Sequence, residues 1–87
     1  MPNIKSAVKR MRQNDVRRLR NRSRRSAMRS QIKRYRQLIQ DGQKEQAQSM
    51  LPAVYAIIDR TAQKGAIRAN TAARYKSRLT KQLALSN

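Results

Sequence analysis

The sequence predicts an all-α chain, a small antiparallel three-helix bundle whose first helix is long, basic and projects beyond the other two. Three observations carry this reading. Good helix formers (Arg, Ala, Gln, Lys, Leu and Met) fill the stretches between a few breakers, Asp41-Gly42, Lys64-Gly65, Pro2 and Pro52. Apolar residues recur at i, i+3 and i+4 in three separate stretches, and strand-like alternation is absent. The 87 residues carry 22 Lys and Arg against 4 Asp and Glu, a formal charge of +18 concentrated at the two ends.

The first helix is expected over 4–40. Met28, Ile32, Tyr35 and Ile39 form one stripe along it, suited to a core. Continued towards the N-terminus, that face becomes Arg24, Asn21, Arg17, Asn14 and Arg10. Val8, Val16 and Leu19 point roughly the opposite way and are too few to dock a partner helix. The chain is therefore one domain in two parts, a projecting arm over 1–26 and a bundle over 27–87. At 1.5 Å per residue the first helix would span roughly 54 Å.

The second helix is expected over 43–64, with Ala47, Met50, Leu51, Val54 and Ile58 on its core face. Pro52 falls on the other side and is expected to kink the helix or divide it in two. The third helix is expected over 70–84, with Ala72, Tyr75, Leu79 and Leu83 inward. Gly42 and Gly65 suit the positions just past the first two helices, and Asn70 or Thr71 suits the cap of the third.

Several functions are excluded by what is missing. The chain has no Cys and no His, and its only acids are Asp15, Asp41, Glu45 and Asp59. Metal ligation and general acid–base catalysis have almost no material, so no enzyme, cofactor or small-molecule substrate is expected. No apolar run approaches the ~20 residues that cross a bilayer, and no signal-peptide core appears. The chain is expected to stay where it is made. Residues 1–40 share the composition of an organelle transit peptide, but their removal would leave a remainder with little to fold around.

The charge points to a polyanion. Residues 1–40 hold 14 basic residues and one acid, residues 41–63 two and three, and residues 64–87 six and none. Arg18, Arg22, Arg25, Arg29, Lys33 and Arg36 run down one side of the first helix, and Arg10, Arg17, Arg20 and Arg24 form a second stripe. Like charges at i, i+4 oppose the helix by a few tenths of a kcal/mol per pair, and nothing in the chain offsets this. Phosphates on two sides would, and guanidinium matches them bidentately. Lys9 and Arg12 extend the basic arm. Asp15, alone among these, is expected to pair within the helix with Arg12, Arg18 or a neighbour of Leu19.

The third helix repeats the logic with Arg74, Arg78 and Lys81 on one stripe and Lys64 and Arg68 in the turn before it. The aromatics are Tyr35, Tyr55 and Tyr75, one per helix, which is no platform for a single strand. The expected target is folded, duplex-rich RNA, read through phosphates, 2′-hydroxyls and shape, with Asn21, Ser23, Ser26 and Asn70 adding polar contacts. The alternative is a histone-like architectural protein, although no wedge-like apolar loop or dimer-forming core is evident. A membrane-surface helix would need a broad greasy face that the arm lacks.

Three blocks then carry a resemblance. They are Pro2-Asn-Ile-Lys-Ser-Ala7, Asn21-Arg-Ser-Arg-Arg-Ser-Ala-Met28, and Asp59-Arg-Thr-Ala-Gln-Lys-Gly65 followed by Ile67-Arg-Ala-Asn70 and Ala72-Ala-Arg-Tyr-Lys-Ser-Arg-Leu79. In this order, over nearly the whole chain, they resemble the twentieth small-subunit ribosomal protein family of bacteria and plastids. The resemblance implies a three-helix bundle, direct binding to 16S ribosomal RNA and a role in small-subunit assembly. It also implies a place in the small subunit of the cytoplasm, or of a plastid, beside other subunit components and not as a homo-oligomer. Carried over by position, the RNA contacts would include Lys5, Asn21, Arg22, Ser23, Arg24 and Arg25, then Lys64, Asn70, Arg74, Lys76 and Arg78. Arg68 stands where the family often has His, and the cation is kept.

Overall fold

The computed structural model describes residues 2–86, with side chains over 7–86. It consists of α1 (Pro2–Gln40), α2 (Lys44–Gln63) and α3 (Ala69–Leu85), with no strand among the described residues. The two interhelical turns end their helices in the same way. Gly42 and Gly65 adopt φ of 75° and 79°. The Gln43 N–H donates to the Leu38 carbonyl at 2.8 Å and the Gly42 N–H to the Ile39 carbonyl at 3.1 Å. The Ala66 and Gly65 N–H groups repeat this on Thr61 and Ala62, at 3.0 and 2.9 Å. Both are Schellman closures, which need the left-handed conformation that glycine adopts without strain. Open space surrounds the place of a Cβ at both glycines, so conformation and not crowding selects the residue.

Two expectations about the helices are corrected. Pro52 does not divide α2, which runs unbroken from Lys44 to Gln63. Pro52 is exposed, and Gln48, whose carbonyl loses a donor, is exposed too, so water can supply what the ring removes. Asn70 and Thr71 do not cap α3. The helix starts at Ala69, and Arg68 holds the extended N-cap geometry (φ −79°, ψ 153°) with no side-chain capping bond.

The core is built from the expected stripes. Met28, Ile32 and Tyr35 meet Ala47, Val54 and Ile58, and Ala72 and Leu79 close the third side. Ile39, Met50, Leu51, Tyr75 and Leu83 pack around them, half-buried. Thr61 is buried as well, its hydroxyl donating to the Ile57 carbonyl at 2.6 Å. The Tyr35 hydroxyl crosses the bundle and donates to the Leu79 carbonyl at 2.7 Å. The Tyr55 and Thr80 hydroxyls bond to each other between α2 and α3.

α2 runs antiparallel between its neighbours and packs along both, whereas α1 and α3 point the same way and meet over a shorter line. A groove is left between them. The molecule measures 66 × 21 × 15 Å, with a radius of gyration of 17.6 Å. A compact chain of this length would have roughly 12 Å. The excess is α1, whose 39 residues reach roughly 58 Å.

Candidate nucleic-acid interface

Every side chain from 7 to 20 is exposed. Lys9, Arg10, Arg12, Arg17, Arg18 and Arg20 lie in this stretch, and Arg22 and Ser23 continue it exposed. Lys5 lies outside the residues whose side chains are described. Asp15 does not pair with Arg12 or Arg18. Among the described residues the ion pair present is Lys76 Nζ to Asp59 Oδ1 at 2.9 Å. A fully hydrated pair gains little over water and loses rotamer freedom, so spacing alone does not hold one in place.

The arm meets the bundle at 21–25. Asn21, Arg24 and Arg25 are half-buried. Arg24 donates to the Asn21 side-chain oxygen at 3.1 Å. Arg25 reaches across to the turn between α2 and α3 and donates to the Ala66 carbonyl at 3.2 Å. That turn carries Lys64 and Arg68, both exposed. Arg29, Lys33 and Arg36 continue exposed along the groove between α1 and α3, and Arg36 Nε donates to the Gln82 side-chain oxygen at 3.3 Å.

On α3, Asn70, Arg74, Arg78 and Lys81 are exposed. Lys76 is half-buried and committed to Asp59, facing α2. Arg78 stands three residues after Tyr75 and four before Gln82, on the side of the helix that borders the groove. The arm stripe and the basic turn therefore join at Arg25, and the stripe comes alongside α3 again at Arg36. Sequence spacing had suggested two separate basic faces. Their continuity depends on tertiary contacts between residues more than forty apart, which helical periodicity does not register.

The outward face of α2 differs. It shows Gln48, Pro52, Ala53, Ala56 and Gln63, with Asp59 and Arg60 opposed in charge. Lys44, one of the two cations of this helix, donates to the Ser86 carbonyl at 3.2 Å and is spent on packing. Burial, and then the neighbouring Tyr55, raise the Tyr35 hydroxyl pKa above its ordinary 10.0. Among the described residues no cluster of three His, Cys, Asp or Glu gathers, and no helix is long and apolar enough to cross a membrane.

The profile of ribosomal protein S20 matches residues 2–84, which takes in all three helices. The chain is 43% identical over 83 residues to small ribosomal subunit protein bS20 of Bacillus licheniformis, covering 95% of this chain and 94% of the relative. It is 45% identical over 84 residues to bS20 of Christiangramia forsetii, covering 97% and 98%. Against bS20 of Aquifex aeolicus it is 46% identical over 83 residues, covering 95% and 88%. An exposed arginine arm on a three-helix bundle and a likeness that runs along almost the whole chain lead to one conclusion: the chain belongs to the ribosomal protein S20 family, whose members are ribosomal proteins and not enzymes.

Proposed function

We propose that the chain is a structural constituent of the small ribosomal subunit that binds 16S ribosomal RNA directly and stabilises its fold during assembly. It works in the cytoplasm, as a single copy among other subunit components. The arm over 1–26 reaches between RNA segments, while the bundle over 27–87 rests on them with the groove side. The observation that carries this is the unshielded stripe of Arg18, Arg22, Arg29 and Lys33, exposed and, among the described residues, without acidic partners.

Arg10, Arg12, Arg17, Arg20 and Arg24 take phosphates on the second side of the arm, with Lys5 and Lys9 near its start. Asn21 and Ser23 meet sugars or base edges. Lys64, Arg68, Asn70, Arg74, Arg78 and Lys81 supply the bundle's contacts. Arg25 and Arg36 hold the bundle while facing RNA. Lys76 contributes through the charge that Asp59 leaves over.

The test uses a folded 16S fragment and two double variants of the full chain. Arg18→Gln with Arg22→Gln keeps the helix propensity and removes two phosphate contacts. Arg60→Gln with Gln63→Ala alters the outward face of α2. The first pair weakens binding at least tenfold and flattens the slope of log affinity against log salt by about 2, whereas the second changes neither. Equal effects from the two pairs would move the RNA to another face.

A further inference from the structure

We infer that the groove between α1 and α3 holds a single unpaired nucleotide, its base against Tyr75 and its phosphates on Arg29, Lys33 and Arg36. The inference rests on the RNA reading above and adds a site to it. The groove measures about 800 Å³, at the upper end of the roughly 300–1,000 Å³ of small-ligand clefts. Ile32, Ile39 and Tyr75 give it an apolar floor. Its α1 rim is cationic at i, i+4, i+3 spacing, and among the described residues no acid lines it.

Charge complementarity selects an anionic occupant, and the rest of the rim selects a nucleotide over an acidic peptide. Gln37 donates to the Asp41 carboxylate at 3.1 Å and Gln82 accepts from Arg36, which leaves the Gln37 oxygen and the Gln82 amide N–H groups for the edge of a base. The floor also takes in Leu85 and runs roughly 16 Å along both helices, a length that admits a docked helix as well, so it is the cationic rim and not the length of the floor that favours a nucleotide. Tyr75 is also the tyrosine left over by the fold. The hydroxyls of Tyr35 and Tyr55 are bonded within the bundle, whereas that of Tyr75 has no protein partner among the described residues. Three tyrosines on three helices do not make a stacking platform, but one half-buried ring at the edge of a groove is enough for one base. The stripe that clamps duplex RNA along the arm thus ends in a slot for a base that has left the duplex.

The chain contains no Trp, so Tyr75→Trp in the full chain gives a single local reporter. A five-nucleotide oligoadenylate should quench it saturably. Tyr75→Leu should weaken oligoadenylate binding by about 5- to 150-fold, the worth of one stacked base, and Tyr75→Phe by less than about 2-fold. Lys33→Glu, exposed and outside the core, should weaken it without touching the fold. Binding of a blunt 16-base-pair RNA duplex should be unchanged by Tyr75→Leu. An unquenched reporter, with duplex binding intact and still sensitive to Arg18 and Arg22, overturns the nucleotide site and leaves the ribosomal reading standing. Duplex binding indifferent to Arg18 and Arg22 strikes at that reading instead. Quenching by a glutamate-rich amphipathic peptide but not by oligoadenylate would overturn the nucleotide in favour of a protein.

Discussion

Tyr35 ties α1 to α3 by a hydroxyl buried in the core, and its chemistry sets a pH limit on the fold. Because its pKa is raised in the folded chain above the ordinary 10.0, the folded state keeps a proton that the unfolded state releases. The stability this confers is complete below about pH 10 and is lost as pH rises through the folded value. Tyr35→Phe removes both the titration and the bond to Leu79. At pH 8 the variant should be less stable than the parent by about 1 kcal/mol, the net worth of one neutral hydrogen bond. Above pH 10 the gap should narrow. Thermal unfolding of both chains from pH 8 to 11.5 decides this, because the two differ only at residue 35. A constant gap would mean that the phenol does not ionise within the folded range. Arg25 teaches a related lesson. Its guanidinium does the work of a turn clasp on Ala66, so substituting it mixes a loss of packing with a loss of charge.

The helices start less well than they end. Both described turns close on a Schellman glycine, yet neither α2 nor α3 has a side-chain cap at its N-terminus. Arg68 already has the extended backbone that a capping residue needs. Arg68→Ser should therefore raise the stability of the RNA-free chain by about 1 kcal/mol, a gain of roughly 4–8 °C in Tm for a domain of this size. The same change should weaken RNA binding, because it removes an exposed cation next to the basic turn. A variant that gained stability and kept full affinity would show that Arg68 faces solvent in the complex. α2 has a second reserve in Pro52. Its substitution by Ala should stabilise the free chain by up to about 3 kcal/mol, read as a higher denaturant midpoint. No gain would mean that the helix had already bent to accommodate the ring.

Taken whole, the molecule is a small bundle attached to a charged rod. Among the described residues nothing packs on 7–20, so the net positive charge of this stretch opposes its own helix. Circular dichroism of the RNA-free chain at low salt should show less helix than the three elements contain, and addition of RNA or of sulfate should restore it. A full helical signal without any anion would disprove this. Much of the architecture was legible in the sequence because it is local. The stripe through Met28, Ile32, Tyr35 and Ile39, its turn to Arg24 and Asn21, and the two glycines each follow from helical geometry within a few residues. What was not legible is what depends on distant partners or on water. Pro52 looked like a break because its lost hydrogen bond is visible in sequence and the solvent that replaces it is not. Asn70 and Thr71 are better capping residues than Arg68, but the helix starts where the turn after Gly65 delivers the chain. The joining of the arm stripe to the basic turn appears only once Arg25 reaches Ala66.

Once an anion has restored its helix, the arm has the mechanics of a cantilever rooted at that junction. The bundle holds α1 only at its C-terminal half, and the free part extends roughly 30 Å beyond Arg25 at 1.5 Å per residue. Over that length a tilt of about 5° at the root moves the tip by about 2.6 Å, close to the length of a hydrogen bond. Small angular errors at the junction become large positional errors where the arm meets its target. The tolerance on packing around Met28 and Ala66 is therefore set less by the survival of the fold than by the aim of the tip.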